Sequence, residues 1–359
     1  MNAKRDERSA FSALPKVDLH RHLEGSVRLQ TCLDLARAAH LPLPTESLES
    51  LRPYFQFMAE TPDFHRFLAT FDVLDQLYDG DPSSVARVAR EAVLDAAADC
   101  VVYLELRFNP DHFARRNGSR LDDVARWVTE SARQAAEETD TALRFIITVP
   151  RNYALRDAEK LVQIAVDFQS SGICGLDLAG DEIGYPWQPF VPLFREAAQA
   201  GLPSTIHAGE VGPSENVAAA LTQFGARRIG HGVAIAGDDR VISQVRAAGA
   251  ALEICPTSNL QTGAFLGTGR GTLATVADYP LPELFRQGVH VTLNTDDPSI
   301  SDTTLTGEYL MVHEEMGVSL EELRQIMMNG VEAAFLPDVE KRTLGTRLRE
   351  AWNAVVGDS

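Results

Sequence analysis

Short apolar or β-branched runs alternate with longer stretches of helical periodicity along most of this chain. The runs fall at 17–20 (VDLH), 101–108, 144–149, 174–179, 203–208, 227–231, 250–256 and 289–295. Between them, residues 83–99, 121–138, 155–169 and 241–249 carry apolar side chains at i, i+3 and i+4, the helical spacing. The stretches beginning at 121 and 319 are acidic near their starts, as a helix N-terminus favours. Strands alternating with helices give parallel β/α units, and eight such units close a barrel. The expected fold is therefore a (β/α)8 TIM barrel, one domain over 1–359. An aromatic, helix-like segment at about 41–81 lies between the first two strands, where a barrel would carry a helical insertion over its open end. The competing doubly wound sheet normally shows a Gly-rich phosphate turn after its first strand, and HRHLEGS (20–26) is not one.

Composition limits the partners. With 45% hydrophobic and 23% charged residues, the chain can bury a large core. Its formal net charge of −18 repels phosphate backbones and anionic lipid, so nucleic acid and membrane surfaces are excluded as expected partners. Cys32, Cys100, Cys174 and Cys255 are far apart and form no C-x-x-C pair, which fits reduced thiols. The first residues lack a signal-peptide pattern, and no apolar run approaches the roughly 18 residues of a membrane span. The expectation is a soluble, cytoplasmic protein acting on a small molecule.

Polar residues gather where the strands end. His20 and His22 close the first run, His207 the fifth and His231 the sixth, and Asp296 and Asp297 follow the eighth. In a barrel these positions share the C-terminal face, where active sites are built. Residues two apart on a strand point the same way, so His20 and His22 can face one ion. Three imidazoles and a carboxylate suit a borderline metal such as zinc. Glu210 sits three residues past His207 in a Gly-hinged turn, as a general acid or base would. Gly230 and Gly232 flank His231, which suggests close passage of backbone or substrate. Two adjacent carboxylates repel unless a metal takes Asp296 and a substrate hydrogen bond takes Asp297. LAGDE (178–182) is either a plain turn or a place where Gly180 lets backbone amides approach a flat ligand. Cys255 and Pro256 read as core and turn, and His40, His65, His112, His290 and His313 as structural or surface residues.

Taken together, PKVDLHRHLEGS, VVYLELRFNP, GLDLAGDE, HAGEVG, RRIGHG, EICPTSNLQTG and LNTDDPSI resemble the adenosine deaminase family, in order from residue 15 to 300. VEAAFLPDVEKR (331–342) extends the resemblance into the tail. The resemblance implies one zinc ion per chain, held by His20, His22, His207 and Asp296. It makes Glu210 the proton shuttle to purine N1, and His231 the residue that holds and polarises the attacking water. Asp297 becomes the partner of N7 and the Gly180 amide the partner of N3. Glu24 is placed near the sugar, with Phe67, Leu68 and Phe71 as an apolar lid. The implied reaction is hydrolysis of adenosine or 2′-deoxyadenosine to the inosine product and ammonia, by attack of zinc-activated water at C6, a step of purine salvage. A 5′-modified adenosine such as aminodeoxyfutalosine, or adenine itself, is the alternative substrate. The other zinc deaminase class needs P-C-x-x-C, and CPTS (255–258) lacks the second Cys. No inner strand ends in a Lys, against lysine-bridged two-metal hydrolases. Two departures stand out. Glu24 occupies a position where several members carry Asp, and its extra methylene moves the carboxylate by roughly 1 Å. Tyr279 replaces a His common in the related bacterial pattern, a change read as neutral.

Overall fold

The computed structural model describes residues 2–41, 47–58, 61–78, 81–114, 118–264 and 276–357. Eight strands form one sheet in chain order: β1 (Lys16–His22), β2 (Val101–Phe108), β3 (Ala142–Pro150), β4 (Ile173–Ala179), β5 (Ser204–Ala208), β6 (Arg228–His231), β7 (Ala251–Ile254) and β8 (His290–Leu293). Every neighbouring pair from β1–β2 to β7–β8 is parallel. Beyond the end of β8, the Asp296 N–H donates to the His20 carbonyl (2.7 Å), and the Asp296 carbonyl accepts from the His22 N–H (2.8 Å). That bridge closes the sheet into a (β/α)8 barrel through a residue of the predicted site.

The strands match the expected runs, with two shorter ends. β7 stops at Ile254 because Pro256 starts a helix and has no N–H to donate. β8 stops at Leu293, and Asp296 then takes a left-handed backbone (φ 60°) that no strand continues. The expected helices are present at Pro82–Ala98, Leu121–Thr139, Leu155–Asp167, Asp239–Ala248 and Leu320–Ala333. Val85, Val88, Ala89, Ala92, Val93 and Ala96 form the buried stripe of the first, at the predicted spacing. Asp122 and Asp123 occupy the first turn of the second, and Ser319 with Glu322 forms a reciprocal capping box on the last.

Between β1 and β2, the described parts of the insertion are helices Leu48–Phe55 and Phe64–Leu74 and a 3-10 turn at Asp75–Leu77. The remainder of the expected segment, at 42–46, 59–60 and 79–80, lies outside the described residues. Among the described residues, no helix is long and apolar enough to cross a membrane.

Inside the barrel the apolar reading of the strands fails in one respect. Glu105, Arg107, Asp177, Arg228 and Glu253 are all buried there. Strand side chains alternate in direction. Glu105 and Arg107 thus point opposite to Leu104 and Leu106, and the inner layer near the site is charged.

Candidate active site

His20, His22, His207 and Asp296 converge at the C-terminal end of the barrel, and their ligand atoms lie within 4.8 Å of one another. The outer nitrogens of two of the rings are held by buried carboxylates: His20 Nδ1 donates to Glu253 Oε2 (2.8 Å) and His207 Nδ1 to Asp177 Oδ1 (2.9 Å). An ionised carboxylate only accepts, so each Nδ1 carries the proton and each Nε2 presents a lone pair. The His20 lone pair faces an atom that can only accept, and the His207 lone pair faces another imidazole nitrogen. His20 Nε2 lies 3.1 Å from Asp296 Oδ1, and His207 Nε2 lies 3.3 Å from His22 Nε2. His20 Nε2 is buried with no hydrogen-bond partner. A cation would satisfy this convergence of lone pairs, and the cluster fits a single metal ion with nitrogen and oxygen ligands. Cys255 is buried, as expected of a core residue, though its sulfur comes within the same 4.8 Å of His231 and Asp296 ligand atoms.

Gly230 precedes His231 for a steric reason. A Cβ there would lie 3.0 Å from the His20 ring and 3.2 Å from His207. The close passage predicted for this position is thus made by the histidines themselves. His231 has φ 60° and points its Nε2 towards Glu210 Oε2 (3.7 Å) and Asp296 Oδ2 (3.9 Å). Behind it, Tyr279 Oη donates to Asn259 Oδ1 (2.8 Å), and Asn259 Nδ2 donates to His231 Nδ1 (2.9 Å). That order fixes the amide's direction and leaves Nε2 as the protonated nitrogen of a neutral ring. Tyr279 thus stands behind a site residue, a contact that its sequence position did not disclose.

Glu210 is set by Glu182, which accepts from the backbone N–H groups of Gly209 (2.8 Å) and Glu210 (2.8 Å) and from Asn216 Nδ2 (3.0 Å). LAGDE is thus more than a turn; its last residue clamps the loop after β5. Burial, then Asp296 and Glu182, pushes the Glu210 carboxyl well above its usual range. Asp297 is raised well above it too, by burial and then by Asp296. A Cβ on Gly25 would fall 1.8 Å from Asp297 Oδ1, so only glycine fits at that point.

These groups open into a cavity of about 370 Å³ that His22, Glu24, Glu210, His231, Asp296 and Asp297 help to line, with Gly180 at one side. Such a volume is at the small end for ligand sites. Gly180 has φ 99°, which favours glycine. Phe64, Phe67, Leu68 and Phe71 form the roof, with Phe67 packed on Phe57 (5.7 Å) and on Phe71 (6.1 Å). Glu24 Oε1 accepts from the Asn109 N–H (2.7 Å), while its Oε2 is buried without a partner. His112, read from the sequence as structural or surface, also lines the cavity and pairs with Asp75 at 2.7 Å. Its signal was available in part: it follows RFNP, just past a strand end, as the other site residues do. Asp75, Asn109, Tyr153 and Asp181 are further lining residues that the sequence did not single out.

The adenosine deaminase family profile matches residues 15–351. An adenosine deaminase of Serratia proteamaculans is 37% identical over 342 residues, covering 94% of this chain and 99% of that one. Among solved structures, a zinc-bound amidohydrolase from Burkholderia ambifaria superposes with a TM-score of 0.86 at 26% identity, covering 98% of this chain and 95% of its own. An adenine deaminase from Arthrobacter aurescens gives 0.84 at 26% identity, covering 94% of this chain and 98% of its own.

Proposed function

The chain belongs to the adenosine deaminase family, and from that premise we propose that it hydrolyses adenosine and 2′-deoxyadenosine to the 6-oxo nucleosides and ammonia. The observation that carries this reading is the opening of one cavity onto both a metal-fitting cluster and two buried carboxyl groups, Glu210 and Asp297. We read the whole chain as one barrel domain and place it in the cytoplasm, in keeping with its free Cys32, Cys100, Cys174 and Cys255.

His20, His22, His207 and Asp296 would hold one zinc ion. Bound there, zinc supplies a Lewis acid that makes water nucleophilic near neutral pH. The chain's own residues do the rest. Glu210 gives a proton to purine N1, which makes C6 attackable. His231, a donor through Nε2, steadies negative charge developing on the attacking oxygen. Asp297 pairs with N7 and the Gly180 amide with N3, which fixes the ring face. Phe67, Leu68 and Phe71 cover the purine and exclude bulk water. A C–O bond forms at C6, the C–N bond breaks, and the protons of water end on the departing ammonia and the product. Glu24, with its free Oε2, lies where a sugar hydroxyl can donate to it.

The wall beyond the cluster also bears on the substrate. Among the described lining residues there is no Lys or Arg, while Glu24, Asp72, Asp75 and Asp181 are acidic. Among these described residues a 5′-phosphate would meet carboxylates and no Lys or Arg. One such like-charge contact costs roughly 1–4 kcal/mol.

Ammonia release from adenosine, 2′-deoxyadenosine, adenine, adenosine monophosphate and aminodeoxyfutalosine, measured side by side, tests the reading. A kcat/KM for adenosine of about 10⁴ M⁻¹s⁻¹ or more is expected, with the monophosphate roughly a hundredfold poorer. Faster turnover of adenine or of the 5′-extended compound would overturn the substrate assignment.

A further inference from the structure

Beneath the cluster lies a line of buried charge that the proposed reaction does not use. It runs Glu105, Arg228, Glu253, Arg107, Asp177, and all of these side chains are 0–1% exposed. Arg228 pairs with Glu105 and, through Nε, with Glu253 Oε1 at 2.5 Å. Arg107 then pairs with Glu253 Oε2 (2.8 Å) and with Asp177 Oδ2 (3.0 Å), and donates to the Leu19 carbonyl (2.7 Å).

Stability does not account for this arrangement. Buried ion pairs seldom outperform a well-packed apolar core, because desolvation offsets the attraction. Position does account for it. Arg107, on β2, grips β1 at Leu19, β4 at Asp177 and β7 at Glu253. Leu19 is the residue before His20. Glu253 Oε2 serves both Arg107 and His20 Nδ1. Asp177 gives one oxygen to Arg107 and the other to His207 Nδ1. One planar fork therefore fixes the two carboxylates that orient two of the three imidazoles, a task for guanidinium geometry rather than for charge alone.

We propose that Arg107 is the positioning residue of the metal centre, and that the cluster's metal affinity depends on it although it acts only through Asp177, Glu253 and the Leu19 carbonyl. The proposal rests on the reading of His20, His22, His207 and Asp296 as a metal site. It also carries an asymmetry. Without Arg107, Glu253 keeps Arg228, whereas Asp177 keeps no Arg or Lys within salt-bridge distance among the described residues. The His207 side should therefore loosen more than the His20 side.

The test measures zinc affinity of the full-length protein by chelator competition, beside thermal unfolding of the metal-free protein and the visible spectrum of its cobalt form. Loss of such an outer partner typically costs about 10–100-fold in metal affinity. Arg107→Met should show a loss of that size and an altered cobalt spectrum, with Arg107→Lys intermediate. Asp177→Asn should cost little more once Arg107 is gone, while Glu253→Gln should still cost on that background. If Arg107→Met does not fold, Arg107→Lys and the two carboxylate variants carry the same readouts. Wild-type zinc affinity in the Arg107 variants, with only the metal-free unfolding temperature lowered, would overturn the proposal and leave Arg107 a fold residue. Failure of the metal reading looks different: the wild type would bind no stoichiometric zinc, or His22→Ala would bind it as tightly as the wild type.

Discussion

The floor of the cavity and its roof hold their side chains by different forces. On the floor, His20, His207, His231 and Asp296 each have a named partner at 2.7–2.9 Å, in Glu253, Asp177, Asn259 and Ser258. In the roof, Phe67 and Phe71 are set by ring packing at 5.7 and 6.1 Å. Backbone bonds tie the roof segment to the barrel, from Phe57 to the Ile300 carbonyl (2.8 Å) and from Asp63 to Gln261 (2.9 Å). Hydrogen bonds are directional and fix atoms; apolar packing is not and fixes only shape. The floor should therefore control the chemical step and the roof the affinity for the base.

The largest effect should come from the floor. Glu210→Gln keeps the shape and the Glu182 clamp but cannot cycle a proton. Its kcat should fall by about 10²–10⁴-fold while binding of a purine nucleoside persists. Steady-state ammonia release, together with calorimetric binding, reads both. A variant that lost binding and kept kcat would reverse the assignment of the two regions.

The roof should answer differently. Phe67 is 3% exposed before any ligand binds, so it is a preformed apolar wall; the base, not the ring, loses solvent surface against it, and covering that base face is worth roughly 1.5–3 kcal/mol. Phe67→Ala should therefore raise KM by about 10–150-fold and move kcat little. Equal falls in kcat and kcat/KM would mean that the roof also positions the reacting carbon, and the contrast with the floor would dissolve.

The same contrast explains what the sequence disclosed. Strand positions were legible because β-branched runs and helical spacing are local signals, and β2 ran from 101 to 108 as expected. The converging donors His20, His22, His207 and Asp296 were legible because each lies near or just past the C-terminal end of a strand, and those ends share a face in a barrel. Arg107, Asp177, Arg228 and Glu253 were not. They sit inside runs that read as apolar, and their partners are on other strands, so nothing local marks them. Glu182 reads locally as part of a turn, but its targets lie 27 residues and more away. The Tyr279 hydroxyl was passed over for the same reason: its value depends on Asn259, 20 residues away, and on His231 beyond it.

Tyr279 gives the smallest effect and the sharpest reading of the floor. Its hydroxyl donates to Asn259 Oδ1, and the Asn259 amide donates to His231 Nδ1, so its effect on turnover is expected to pass along that line. Tyr279→Phe removes the bond that fixes which way the Asn259 amide faces. Since a hydrogen bond of this kind is worth about 0.5–1.5 kcal/mol net, kcat should fall by roughly 2–10-fold with KM unchanged. Tyr279→His, the residue common at this position in the related bacterial pattern, can restore a donor and should recover most of the loss. An equal rise in KM would place Tyr279 with the roof. Wild-type kcat in Tyr279→Phe would mean that Asn259 needs no second bond to aim His231, and that the floor's directional control ends at the partner it touches.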